Sequence, residues 1–185
     1  MVARERLYTA EDLLALPHDR GRYALVEGQL IEMSPTGKPH GLVTNEIAFV
    51  VTAFARLHDL GQVFGAETGF RVGKNPDTVY GIDVAFVSKA RKQTGEGYFE
   101  GAPDLAVEVF SPSNSQTEIH DKIKRYFQAG SRLVWVFYPQ SRAVYVYKSP
   151  TDIKVLNEND TLDGGEVLPG FAVKIGDIFA VLDNS

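Results

Sequence analysis

Two rhythms of apolar and polar residues run along this chain, and the switches between them mark its elements. Residues 9–16 read as a short helix, with Thr9 as N-cap, Glu11 and Asp12 at the positive end of the helix dipole, and Pro17 as the stop. Residues 23–33 read as two strands turning near Gly28. Over residues 40–59, Val43, Ile47, Val50, Val51, Phe54 and Leu57 recur at helical spacing, which predicts the longest helix, packed on a sheet. Strands follow near Val63 and over residues 68–72, then two short runs rich in Val, Ile and Phe at residues 79–88 and 103–110. Between those runs, residues 88–101 are charged and glycine-rich, which predicts a mobile surface loop beside the functional groove, with at most one helical turn. A helix over residues 117–129 ends at Gly130. Residues 133–138 and 143–147 pair across the turn at 139–142, and short hairpin-like runs lead to an apolar end at residues 178–182. This order predicts an α/β (α+β) fold, a mixed sheet flanked by helices with a strand-rich C-terminal extension.

Each of the two central runs carries one acid in its middle. Asp83 shares a strand face with Ala85 and Val87, while Ile82, Val84 and Phe86 point the other way. Glu108 shares a face with Ala106 and Phe110, opposite Val107 and Val109. An isolated buried carboxylate is costly unless it is paired or holds a metal. Two on neighbouring strands point to a shared hard divalent cation; the plainer reading is two acids at strand ends, exposed or salt-bridged. Bare and close together, they would repel, so replacing either by its amide would relieve strain. In the following helix Ile119, Ile123, Tyr126 and Phe127 form an apolar stripe, and Lys122 lies at its edge, placed to reach the end of the Glu108 strand. The plainer reading is a lysine whose stem covers the core. Glu27 alternates with Leu25 and Tyr23 beside a turn, where acids are usually solvated. His40 stands alone, with no second histidine at ligand spacing. Gly95 and Gly97 lack the Lys-Ser or Lys-Thr of a phosphate loop, and Ser111 and Ser113 lack a nucleophile elbow.

Composition narrows the field. At 185 residues the chain is expected to form a single domain over residues 1–185, since domains run to about 100–200 residues. Hydrophobic content is 44% and charged content 23%, as in ordinary globular proteins. No apolar run reaches the ~18 residues of a membrane span, residues 1–7 lack a signal-peptide core, and there is no cysteine, which together predict a cytoplasmic protein. A net charge of −5 argues against non-specific coating of nucleic acid but leaves room for a local basic groove. The aromatic-rich segments at residues 133–138 and 143–147, with further strands in the tail, predict exposed strand edges or aromatic patches and through them a homodimer.

Several stretches together resemble the Uma-two family, of restriction-endonuclease type and formerly a domain of unknown function. They are Leu25-Val-Glu-Gly-Gln-Leu-Ile-Glu-Met-Ser-Pro35, Gly81-Ile-Asp-Val-Ala-Phe-Val87, Pro103-Asp-Leu-Ala-Val-Glu-Val-Phe-Ser-Pro-Ser113, Asp121-Lys-Ile-Lys-Arg-Tyr126, Ala129-Gly130 and Trp135-Val-Phe-Tyr-Pro139, in the family's order. The resemblance implies the PD-(D/E)xK nuclease superfamily: a restriction-endonuclease-like mixed central sheet and a Mg2+- or Mn2+-dependent endonuclease acting on nucleic acid, with DNA the expected substrate. Carried over, Asp83 and Glu108 with the carbonyl of Val109 are the metal ligands. The superfamily's lysine would fall on Phe110, and the family's displaced lysine matches Lys122. Glu27 matches the acid of the opening hairpin, near the metal or its waters. The pair Gly81-Ile82 departs from the Arg-Pro commonly found before the first acid. Lys38, Arg71, Lys74, Lys89, Arg91 and Lys92 are the residues expected to track a phosphate backbone. Two other classes stay open: a nuclease-fold protein that binds nucleic acid without cutting it, and a self-associating structural protein.

Overall fold

Thr9 and Asp12 exchange hydrogen bonds across the first turn of α1 (Ala10–Leu14), the capping box that its sequence encodes. The computed structural model describes residues 6–17, 21–112 and 115–183. The segment at residues 1–5 and the residues Ser113 and Asn114 lie outside the described residues. Next come β1 (Arg22–Val26) and β2 (Gln29–Met33), joined by Glu27 and Gly28, both at positive φ as a type I′ hairpin turn requires. The long helix α2 (Lys38–Leu57) starts two residues earlier than its apolar spacing indicates, because Pro39 fits the first turn of a helix. It is followed by β3 (Gly61–Phe64), β4 (Thr68–Gly73), β5 (Thr78–Ile82), β6 (Val84–Ser88), the short β7 (Phe99–Glu100) and β8 (Leu105–Val109). Ser115 and Glu118 form a second capping box at the start of α3 (Gln116–Gln128). The chain ends through β9 (Leu133–Tyr138), β10 (Ala143–Tyr147), β11 (Ile153–Leu156), β12 (Thr161–Asp163), β13 (Ala172–Lys174) and α4 (Ile175–Phe179).

A mixed six-stranded sheet, ordered β11-β10-β9-β8-β6-β3, forms the centre. Its one parallel pair is β8 with β9, the pair that α3 connects. α2 and α4 cover one face, against Val84, Phe86, Val107, Trp135 and Phe137. α3 covers the other, with Ile119, Ile123 and Tyr126 against Ala85, Ala106, Val134 and Val136. A second sheet, ordered β2-β1-β5-β4-β7, folds onto the α3 side through Phe70, Tyr80 and Ile82.

The run over residues 79–88 is therefore not one strand. It bends at Asp83, so that β5 belongs to one sheet and β6 to the other. The bend also changes the alternation: Tyr80 and Ile82 share the α3-side core with Ala85 and Val87, and Val84 and Phe86 face α2. This corrects the placement of Ile82 with Val84. On the C-terminal side of the central sheet the edge is the tail strand β11. β9 lies inside the sheet between β8 and β10, and β11 covers β10, so the aromatic strands are not sheet edges. The loop between β6 and β8 has one helical turn, at residues 89–91, as the sequence indicates. Its two ends, however, lie at the opposite end of those strands from Asp83 and Glu108. Arg91 pins it there through the carbonyls of Gly130 and Ala102.

Candidate active site

The antiparallel register of β6 and β8 sets Val84 opposite Val107, so one step further along it brings Asp83 opposite Glu108. The two acids thus lie on adjacent stretches of chain at the seam between the sheets, near enough for the Asp83 charge to act on Glu108. Asp83 Oδ2 accepts from the Val109 backbone N–H at 2.8 Å, a bond that stitches the bend to the end of β8. The same oxygen lies 3.1 Å from His40 Nε2, in the first turn of α2. His40 Nδ1 is 3.4 Å from the hydroxyl of Thr44, one helical turn on and buried. Among the described residues no hydrogen bond engages Asp83 Oδ1.

Glu108 points to the α3 face, where its carboxylate is buried. Lys122 Nζ donates to its Oε2 at 2.8 Å, and the Tyr126 hydroxyl donates to its Oε1. Lys122 and Tyr126 stand four residues apart on α3, the spacing at which side chains share one helix face. The Lys122 amine also lies 5.5 Å from the centre of the Tyr80 ring. Burial raises the pKa of Glu108, the negative charge of Asp83 adds to this, and Lys122 opposes it. For Lys122 burial is the largest influence and pulls its pKa down, but the charge and hydrogen bond of Glu108 outweigh it and the net shift is upward. The Tyr126 hydroxyl is held well above its ordinary range by burial and then by the Glu108 charge. Both carboxyl oxygens of Glu108 thus have a hydrogen-bond partner. An amide at this position would remove the repulsion from Asp83 but would also leave the buried Lys122 without its partner.

Glu27 sits at the rim. Its side chain is 63% exposed and pairs with Arg125 Nη2 at 2.8 Å, one turn along α3 from Lys122. Of the residues expected to track a backbone, most are committed elsewhere. Arg71 pairs with Asp77 at 2.7 Å, Lys74 with Glu100 at 2.6 Å, Lys89 with Asp59, and Arg91 with Asp104 at 3.5 Å. Lys89, Arg91 and Lys92 follow β6 at the far end from the acids. Lys38 alone remains near, exposed in the first turn of α2 two residues before His40. Sequence reasoning set His40 aside and read Tyr126 only as core. The Lys122–Tyr126 spacing was the signal for the tyrosine; a lone histidine 43 positions from its acid gave none.

The donors are all hard oxygens, which suits Mg2+ or Mn2+. Asp83 keeps one carboxylate oxygen uncommitted, and each Glu108 oxygen has a lone pair beyond the one used by Lys122 or Tyr126. No group of three or more His, Asp or Glu side chains is gathered as a metal cage among the described residues.

The fold is thus a mixed sheet between helices, with Glu108 on its central strand β8, Asp83 at the bend before β6 and Lys122 on the next helix. The chain superimposes with a TM-score of 0.81 on the crystal structure of a putative nuclease belonging to DUF820 from Anabaena variabilis, at 22% identity, covering 94% of this chain and 98% of that one. The chain belongs to the Uma2 family, described as putative restriction endonuclease, whose model matches residues 10–176. No curated protein matches it. No helix among the described residues is long and apolar enough to cross a membrane.

Proposed function

We propose that this chain is a metal-dependent endonuclease that hydrolyses phosphodiester bonds of nucleic acid, with DNA as its substrate, and that residues 1–185 work as one domain. The observation that carries this reading is the placement of Asp83 one residue before the β6–β8 pairing and of Glu108 one residue beyond it, with the Asp83 charge acting on Glu108 and Lys122 2.8 Å from Glu108. Asp83, Glu108 and the carbonyl of Val109 would hold Mg2+ or Mn2+, which when bound polarises a phosphoryl oxygen and lowers the pKa of a coordinated water. The chain's own residues do the rest. Lys122, kept protonated by Glu108, orients the attacking water and offsets charge developing on the phosphoryl oxygens. Tyr126 fixes the second oxygen of Glu108, so that this side chain has one orientation. Lys38 meets a flanking phosphate, and Glu27 with Arg125 borders the groove.

The test is cleavage of a mixed panel of DNA and RNA with Mg2+ or Mn2+, against an Asp83→Ala control. Metal-dependent cleavage of DNA that the control lacks is expected. Lys122→Met should lower kcat by about 10²–10³-fold. Lys124→Met is the matched comparison and should leave it unchanged, because Lys124 reaches only the exposed Asp121, at 3.8 Å. Salt-dependent binding without cleavage by the parent would favour the non-catalytic reading instead.

The reading includes a homodimer, now through the free edge of β11, where Ile153 and Val155 are exposed. Light scattering should give a dimer in the micromolar range for the parent and a monomer for Val155→Lys. A monomeric parent would remove this part of the reading.

A further inference from the structure

Asp83 is held by its neighbours in an asymmetric way. Its Oδ2 faces two N–H groups, the backbone of Val109 at 2.8 Å and His40 Nε2 at 3.1 Å, while Oδ1 has no hydrogen-bonding partner among the described residues. His40 is itself oriented. Its Nδ1 lies 3.4 Å from the Thr44 hydroxyl, on a buried side chain of the same rigid helix. A hydroxyl donating to Nδ1 leaves the proton on Nε2, where it can donate to Asp83. Thr44, His40 and Asp83 therefore form a chain of hydrogen bonds that begins inside α2 and ends on one carboxylate oxygen.

We infer that His40 is a positioning residue: it fixes the Asp83 carboxylate so that Oδ2 is occupied and Oδ1 is presented to a divalent cation. This rests on the metal-dependent reading above and assigns it a further residue. The Val109 N–H alone does not fix the carboxylate, since a single hydrogen bond leaves rotation about the Cβ–Cγ bond open. A second donor from a different element removes that freedom. Outer partners of ligating carboxylates typically contribute 10–100-fold to metal affinity. In this role His40 makes no contact with the scissile phosphate.

Calorimetric titration of the nucleic-acid-free protein with Mn2+ tests this, using the parent, His40→Ala, His40→Gln and Thr44→Val. His40→Ala should weaken Mn2+ affinity by about 10–100-fold. His40→Gln, which keeps a donor on a side chain of similar reach, should recover most of it, and Thr44→Val should show a smaller loss in the same direction. In cleavage, raising Mn2+ should restore kcat of His40→Ala with KM for nucleic acid unchanged. A His40→Ala variant that binds Mn2+ as tightly as the parent overturns the inference. So does a kcat defect that saturating Mn2+ leaves in place, which would put His40 in the chemistry itself. If His40→Ala melts far below the parent, the Gln and Thr44 variants decide: equal loss in His40→Gln and none in Thr44→Val overturns it. A parent that takes up no Mn2+ overturns the metal reading and this inference with it, a result distinct from a parent that binds and a variant that binds equally.

Discussion

Glu108 and Lys122 form a pair whose members cannot be removed independently. Both side chains are largely withdrawn from water, at 6% and 15% exposure, and each is the other's main counter-charge. Breaking a buried pair by deleting one partner costs about 3–5 kcal/mol. The pH dependence of that cost has a definite sign. The folded-state pKa of Glu108 is already raised by burial, and deleting the lysine removes the attraction that opposes the rise. A group with a raised folded pKa favours folding below its unfolded value and loses that contribution as pH rises through the folded one. Lys122→Met should therefore be nearest the parent in urea stability around pH 4, close to the unfolded carboxyl's value, and fall progressively behind it toward neutrality. A deficit that is constant across this range would show that Glu108 does not depend on Lys122. Glu108 stood out in the sequence as an acid amid apolar strand residues, and Lys122 as a lysine at the edge of an apolar helix stripe. The contacts of His40 did not, since they are made 43 positions away by a residue type that is more often structural.

At the scale of elements, the site draws on both layers around the central sheet. α2 brings His40 from one side and α3 brings Lys122 and Tyr126 from the other, while the seam between β5 and β6 brings Asp83. α3 is secured at its start by Ser115 and Glu118. Ser115→Ala should cost about 0.5–2 kcal/mol in denaturant unfolding, the usual range for a lost cap. Lys122 lies almost two turns further in, beyond the fraying end, so kcat should be unchanged; a large loss of turnover would mean that the cap sets the lysine's position. α1, α2 and α3 were legible from periodicity and caps, and their ends moved by only a residue or two; α4 was not, because its residues read only as an apolar end to the chain. The bend at Asp83 was not. A switch of phase between Ile82 and Ala85 replaces one buried apolar residue by another, so the residue types are the same with or without it. The division into two sheets, which follows from that bend, was hidden for the same reason.

Across the whole molecule the six-stranded sheet separates two apolar cores, and only one of them borders the Glu108–Lys122 pair. Trp135 lies in the other. It is the chain's single tryptophan, fully buried on β9, with its ring 5.7 Å from Phe171 and, among the described residues, no hydrogen-bond partner for its indole N–H. Its neighbour across the ladder is Val107, whose side chain faces away from Glu108. The chain thus has a built-in optical probe that is uniquely assigned without labelling. Its emission should be that of an indole in a dry, apolar setting and should shift to longer wavelength on unfolding. Substitutions at Lys122, Tyr126 or Glu108 should leave the folded-state spectrum as it is while moving the midpoint of its transition, so stability and local disturbance can be read separately from one signal.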